Sequence, residues 1–465
     1  MKISEIVRVA RGRLLSGDPD TNVDPSRIST DSRNVKRGDL FIALKGPNFD
    51  GGKFVAEAFG KGAIGAISSF APKSGPGSTA SGRPSGEKIF IKVKDATEAF
   101  QRIAAAHRNK FKIPVIGITG SNGKTTVKDL ASAILSGKYK VLKNEGTDNN
   151  HIGVPKTLLK LNKDHDICVL ELGTNHPGEI KKLCRIASPT AAVITNIGLS
   201  HIEFFGDLEG VYRAKTEILS SAKGPKGKVI INGDDKYLKR IKPGSRKLIR
   251  FGFDDRNDYK GSIIGSSNDK VSFSVNSDRI FISGLLGIHN VYNALGAIAI
   301  GRSFEMPYQA IIKAVASFKP TKMRMEIRKI CGVDVINDAY NSNPQSMSAA
   351  LEVLENHPAI SKWVVSGDMF ELGSKGEYFH RMIGVLVAKS GADGLLTMGK
   401  LSKFTLAEAY ASGMRKDRLW HCADHAEASK ILGKFAKSGD LILIKGSRGM
   451  RMERVLEKLK TKTKK

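Results

Sequence analysis

The sequence predicts an α/β protein of three domains. A small N-terminal α/β unit precedes a central parallel-sheet domain of the phosphate-loop ATPase type, and a C-terminal Rossmann-like, doubly wound domain follows. Three observations carry this reading. At 465 residues the chain is too long for one hydrophobic core. Short apolar runs alternate with helix-period segments, the signature of buried parallel strands joined by helices. The alternation restarts near residue 320 without a second glycine-rich loop. The expected domains are 1–93, 94–319 and 320–465.

In the first of these, Asp39–Leu44, Ala63–Ser68 and Lys88–Val93 read as strands, with a helical segment over Lys53–Lys61. Ala71–Glu87 is rich in Gly, Pro and Ser and reads as a mobile surface loop. Near the start, Ile3, Ile6, Val7, Ala10 and Leu14 are interrupted by Glu5, Arg8, Arg11 and Arg13. No secretory apolar core is read there, and a cytoplasmic location is expected. No apolar run reaches the ~18–20 residues of a membrane span.

A helix over Ala96–Lys110 leads to the stretch on which the chain is organised. Ile113–Ile118 is a buried strand, and Gly117-Ile118-Thr119-Gly120-Ser121-Asn122-Gly123-Lys124-Thr125-Thr126 follows its first residues. Val127, Leu130, Ile134 and Leu135 then repeat at helical spacing. Strand, glycine-rich turn, Lys-Thr and amphipathic helix together form a phosphate-binding loop. Glycines let backbone N–H groups turn inward, and those donors with the helix N-terminus meet phosphate charge. Lys124 reaches the terminal phosphates in such a loop, and the Thr125 hydroxyl holds Mg²⁺. The spacing departs from the common pattern: Ile118 stands at its first glycine, and Gly117 comes one residue early.

Farther on, Val169–Leu172, Ala192–Ile197 and Lys228–Ile231 read as parallel strands. Tyr259–Ile282 holds shorter, alternating strands, and Asn290–Gly301 is a small-residue helix. After residue 320, the strands Val333–Asn337, Trp363–Ser366, Leu395–Met398 and Leu441–Ile444 are each followed by a helix-period segment.

Three side chains invite chemistry, each with a plainer reading beside it. Glu171 ends a buried strand, where functional groups of open α/β sheets gather. It is either an oxygen ligand for Mg²⁺ or a strand-end carboxylate in solvent. His201 lies just past the next strand and is a metal ligand, an acid/base or a structural histidine. Lys215 falls on the apolar stripe of Leu208, Val211, Ile218 and Leu219. Either it snorkels to water, or its amine is altered, for example to a carbamate that binds metal.

Cys168, Cys184, Cys331 and Cys422 lie far apart without metal-ligand spacing and read as reduced thiols. The formal net charge is +29, which attracts anions. Lysines and arginines are spread through the chain, with a dense run only at Lys458–Lys465, and no basic stretch is interleaved with aromatics. A solvated surface without a nucleic-acid partner is expected.

These pieces resemble the Mur ligase family, ATP-dependent amide ligases of peptidoglycan precursor synthesis, over nearly the whole chain. Gly117-x-x-Gly120-x-Asn122-Gly123-Lys124-Thr125 is similar to the family's own phosphate loop. Asn149-Asn150-x-x-Gly153-x-Pro155, Glu171-Leu172-Gly173, Thr195-Asn196-Ile197, His201, Ala214-Lys215-x-Glu217-Ile218 and His289-Asn290-x-x-Asn293-Ala294 follow in family order. Asp338-Ala339-Tyr340-Asn341-Ser342-Asn343-Pro344, Gly367-Asp368-Met369-x-Glu371-Leu372-Gly373 and Lys445-Gly446-Ser447-Arg448 resemble the branch that adds D-alanyl-D-alanine to UDP-N-acetylmuramoyl-tripeptide. Gly52, after Asp50-Gly51, and Ile288, before His289, depart from the pattern, where histidine and a basic residue are common.

The resemblance implies ATP and Mg²⁺ as cofactors and a monomer as the working form. Gly120, Ser121, Asn122, Gly123, Lys124, Thr125 and Thr126 would hold the phosphates, and Asn290 and Asn293 the adenine. Arg324 and Asp338 would reach ATP after domain closure. Thr125, Glu171, His201 and a carbamylated Lys215 would bind Mg²⁺, with Lys124, Glu171, His201 and Lys215 catalytic. Thr30, Asp31, Ser32 and Arg33 resemble the uridine-nucleotide site, and Asn149, Asn150, Tyr340, Asn341 and Asn343 are implied substrate contacts. The implied reaction runs through an acyl phosphate. Rival readings are a sister ligase, another Mur step or a folylpolyglutamate synthetase, and a phosphate-loop ATPase coupled to a protein or nucleic-acid partner.

Overall fold

The computed structural model describes residues 1–46, 49–70, 88–222, 227–244, 246–330 and 332–461. The predicted loop Ala71–Glu87 and Cys331 lie outside the described residues, as do the last four positions of the basic tail. The chain divides into two compact units, one of Met1–Gly117, Tyr139–Gly173 and Glu179–Ala191, the other of Ile118–Lys138, Thr174–Gly178 and Ala192–Lys465.

The first unit holds a five-stranded sheet in the order Arg13–Ser16, Ile89–Lys92, Gly65–Ser68, Leu40–Ile42, Ile28–Ser29. Only the Arg13–Ser16 strand is antiparallel to its neighbour. Phe41, Ala43, Ala66 and Phe90 fill one face against Val55 and Ala58 of the helix Val55–Gly60. The helix Ala96–Arg108 starts where Asp95 accepts a hydrogen bond from the Glu98 backbone N–H at 2.9 Å. It buries Ala96, Ala99, Phe100, Ile103, Ala104 and His107, an apolar face at 3.6-residue spacing. Strands Ile167–Glu171 and Val141–Lys143 run parallel, and Ile167–Glu171 is buried throughout.

The strand Val115–Thr119 begins in the first unit and ends in the second. Ala191–Ile194 likewise starts on the last residue of the first unit, and the second unit continues with Lys228–Asn232, Lys247–Gly252 and the antiparallel trio Tyr259–Ser266, Val271–Val275 and Arg279–Ser283. A separate six-stranded sheet runs Glu326–Ile330, Val333–Asp338, Leu441–Lys445, Lys362–Gly367, Gly394–Met398, Leu419–His421. It is parallel except for its first pair. Leu441–Lys445 and Gly394–Met398 are buried along their whole length, as parallel strands covered on both faces must be.

The strands read from sequence recur within two or three residues of their expected ends. Arg13–Ser16, Ile28–Ser29, Lys45–Gly46, Phe49–Asp50, Val141–Lys143, Lys247–Gly252, Glu326–Ile330 and Leu419–His421 are additions. Among the described residues no helix is long and apolar enough to cross a membrane.

Candidate functional site

Within the second unit the phosphate loop is built as the glycine pattern requires. Gly123 has φ +80° and Gly120 φ +143°, both outside the range ordinary side chains favour. A Cβ on Gly120 would lie 1.9 Å from Thr195 Oγ1, and one on Gly123 2.1 Å from Asn293 Oδ1. Lys124 opens the helix Lys124–Leu135, and its Nζ donates to the carbonyls of Gly120 at 2.7 Å and Ser121 at 3.0 Å. Thr125 is buried, and Thr126 is the next residue of the same first turn.

The loop after Ala191–Ile194 braces this turn from one side. Asn196 accepts from the Asn122 N–H at 3.0 Å and donates to its carbonyl at 3.1 Å. Thr195 Oγ1 donates to the same carbonyl at 2.5 Å. Ser121 Oγ donates to the Gly198 carbonyl at 3.0 Å. Asp235 accepts from the Ile197 N–H at 2.7 Å and so anchors the bracing loop in turn. Asn290 and Asn293, on the helix Ile288–Ser303, are buried and bonded to each other at 2.9 Å.

His201 sits in the left-handed region at φ +55°, with Nδ1 2.5 Å from Glu371 Oε2. That hydrogen bond holds the Glu371 carboxyl below its ordinary value. Lys215 lies on the helix Leu208–Thr216, 0% exposed, with Nζ 6.0 Å from the centre of the Phe205 ring. Snorkelling is therefore excluded: the whole side chain is inside.

In the same unit, Asp338 pairs with Lys445 and accepts from the Met325 N–H at 3.0 Å. Lys445 also donates to the Asn341 carbonyl at 3.0 Å. Arg324 stacks its guanidinium 4.1 Å from the Tyr340 ring centre. Asn343 caps the helix Pro344–Asn356 and bonds Asn122 through Nδ2 at 2.8 Å.

In the first unit, Glu171 is 1% exposed and accepts from Asn149 Nδ2 at 2.7 Å, so it is no solvent carboxylate. Asn144 clasps its backbone on both sides, accepting from the Glu171 N–H at 2.9 Å and donating to its carbonyl at 3.1 Å. Asn150 caps a turn, accepting from the N–H groups of Ile152 and Gly153. Asp31 accepts from the Arg33 side chain at 2.9 and 2.8 Å and from its N–H, which holds its carboxyl at about 2. Ser32 is buried, while Thr30 lies next to the Ile28–Ser29 strand.

Glu371, Gln345, Lys445, Asn144 and Asp235 carry no role in the sequence reading. Lys445 alone had a residue-level signal, a lysine ending the apolar run Leu441–Ile444. Glu371, Asn144 and Asp235 are polar residues in loops and Gln345 opens a helix, and their partners lie 27 or more residues away.

The Mur ligase middle-domain profile matches residues 118–301, the glutamate ligase domain of Mur ligases 323–448, and the Mur ligase family catalytic domain 26–108. The UDP-N-acetylmuramoyl-tripeptide–D-alanyl-D-alanine ligase of Bacillus subtilis is 37% identical over 460 residues, 98% of each chain. The chain belongs to the Mur ligase family. The Escherichia coli ligase of the same name is 34% identical over 98% of both chains. Among solved Mur ligases, MurF from Acinetobacter baumannii superimposes with a TM-score of 0.87 at 29% identity, covering 99% of this chain and 98% of that one. MurF from Thermotoga maritima, solved in complex with ADP, gives 0.82 at 28% identity over 95% and 99%. The phosphate loop, its bracing loop, His201 and Lys215 all fall in the middle-domain match, and Asp338 to Lys445 in the glutamate ligase domain.

Proposed function

We propose that this chain joins D-alanyl-D-alanine to UDP-N-acetylmuramoyl-tripeptide at the expense of ATP. The carrying observation is the 37% identity, over 98% of both chains, to a ligase of that name. The built phosphate loop supports it independently.

A carboxylate resists amine attack, because it is anionic and oxide leaves poorly. Transfer of the γ-phosphoryl group to the tripeptide's terminal carboxylate releases ADP and makes an acyl phosphate. The amine of D-alanyl-D-alanine attacks that carbonyl, loses a proton, and expels phosphate as the amide forms. Both partners in the first step are anions, so the protein's task is positioning and neutralising charge. Lys124, exchanging the Gly120 and Ser121 carbonyls for phosphate oxygens, supplies positive charge on the γ-phosphoryl group. Backbone N–H groups of Gly123–Thr125, at the start of the helix, receive the phosphate oxygens. Asn290 and Asn293 are the proposed adenine contacts, and Arg324 and Asp338 the proposed C-terminal ones. Thr30–Arg33 is the proposed uridine-nucleotide segment, and Asn149, Asn150, Tyr340 and Asn341 are each proposed substrate contacts.

In the second unit the Thr125 hydroxyl, the His201 nitrogen and a carbamate on Lys215, which would add anionic oxygen, are the proposed Mg²⁺ donors, and in the first unit the Glu171 carboxylate is a hard oxygen of the kind Mg²⁺ takes. When bound, Mg²⁺ supplies charge neutralisation on the phosphates. The domain limits 1–93, 94–319 and 320–465, a monomeric state and a cytoplasmic location, where ATP and the nucleotide precursor are at hand, belong to the same proposal.

The deciding assay is ADP release with UDP-muramoyl-tripeptide, carrying lysine or diaminopimelate as third residue, with and without D-alanyl-D-alanine. Release that depends on both partners is expected. Release without any amine acceptor favours an uncoupled ATPase, and turnover with a folate in place of the muramoyl nucleotide favours a sister ligase.

A further inference from the structure

We propose that the side chain of Asn122 is a clasp by which the segment Asp338–Gln345 is held on the phosphate loop, with Asn343 and Gln345 as positioning residues. This deepens the proposed ligase reading and rests on it for its kinetic effect. It also moves Asn343 from a substrate contact to a positioning role.

Asn122 uses both ends of its carboxamide on partners more than 220 residues away. Its Oδ1 accepts from Asn343 Nδ2 at 2.8 Å, and its Nδ2 donates to Gln345 Oε1 at 3.1 Å. The backbone of Asn122 is already fixed by Thr195 and Asn196. The backbone thus shapes the phosphate cradle, and the side chain is committed outward, away from it.

Asn343 is equally committed. Its Oδ1 accepts from the Ser346 N–H at 2.8 Å while its own N–H donates to Ser346 Oγ at 3.0 Å, a complete capping box. With its oxygen held there, its amide donors are left to face Asn122. Gln345 is seated by a third element: a Cβ on Gly198 would lie 1.8 Å from Gln345 Oε1, so only glycine leaves room for that oxygen. Gly198 belongs to the bracing loop that touches Ser121.

The segment so held also carries Asp338, paired with Lys445, and Tyr340, stacked by Arg324. The clasp therefore sets the distance at which these groups meet whatever the loop binds. A ligand held only by the phosphate loop is bound equally well with or without it; the reaction, which needs both sides, is not.

The test uses the full-length enzyme. Asn343→Ser keeps a good helix cap but is too short to reach Asn122. Its Tm and its Kd for inorganic pyrophosphate, which the phosphate loop alone can hold, should match the parent, while kcat falls about tenfold, the effect of one or two neutral hydrogen bonds. Asn122→Ala should lose a similar factor, and the double variant no more than either alone. Hydrogen exchange reads the clasp without any reaction: amides in 118–124 should exchange faster in Asn343→Ser. Parent-like kcat and exchange in Asn343→Ser, single losses that multiply in the double variant, or a fall in Tm that accounts for the kcat loss would each overturn the clasp. If the parent releases no ADP in response to D-alanyl-D-alanine, the reaction reading fails instead, and the exchange result alone decides the clasp.

Discussion

Lys215 shows how far a single residue can be read. Its place on an apolar stripe was legible because helical spacing is a property of sequence, and the structure puts it fully inside. A buried ammonium would repel the proposed Mg²⁺, whereas a carbamate would bind it. Lys215→Ala should therefore lose most ligase activity and regain part of it with acetate, and Lys215→Arg should not be rescued, since its charge is permanent. A Lys215→Arg enzyme as active as the parent would return the residue to a structural role. His380 gave no such signal. It is 0% exposed, Nδ1 lies 2.7 Å from the Gly376 carbonyl, and Nε2 accepts from the Met369 N–H at 3.0 Å. Burial lowers its pKa from the ordinary 6.5, because the charged ring loses its hydration there. The unfolded chain then binds the extra proton first. Stability should fall as pH drops below about 6.5 and level off only beneath the lowered folded value. Urea melts at pH 7.5 and 5.5 should show this slope in the parent and a smaller one in His380→Gln. Equal slopes in the two proteins would place the acid sensitivity elsewhere.

Among elements, the long parallel strands were legible because burial on both faces leaves unbroken apolar runs, as in Leu441–Ile444. Arg13–Ser16 and Glu326–Ile330 were not, since these edge strands are mostly exposed or half-buried and carry Arg13, Arg328 and Lys329. The strand Arg279–Ser283 is the opposite case. It is the outer strand of its sheet, with Phe281 buried and Ile280 and Ile282 exposed at 60% and 48%. Exposed apolar edges invite pairing with other chains. Replacing both isoleucines with lysine should raise the concentration at which the protein stays monodisperse, with Tm changed by no more than a few degrees. Light scattering across a concentration series checks this, and unchanged self-association would show that the edge is already protected. The thiols are another element-scale outcome: burial pushes Cys168 and Cys422 up to about 12, which keeps both inert, as their apolar segments suggested.

At the scale of the molecule, the +29 charge is the least specific feature and still has a measurable effect. UDP-linked substrate and ATP are polyanions, so a positive field should speed their encounter until salt screens it, at a Debye length of ~8 Å in 0.15 M salt. The KM for the muramoyl nucleotide should rise between 20 and 300 mM KCl while kcat changes little. A flat KM would mean that the charge serves solubility alone. The restart of the strand–helix pattern near residue 320 was enough to reveal a second doubly wound sheet. The two compact units were not legible, because they are not consecutive in the chain. The backbone passes between them at 117/118, 138/139, 173/174, 178/179 and 191/192. This threading has a consequence for biosynthesis. The first unit is complete only once the ribosome has released residue 191, although its five-stranded sheet ends at Lys92. For that interval Ile118–Lys138 must wait, translated but without its own core, much of which lies beyond Ala192. A nascent chain stalled after the phosphate loop should thus protect no more than its N-terminal sheet from protease, and one stalled well past residue 191 should protect the whole first unit.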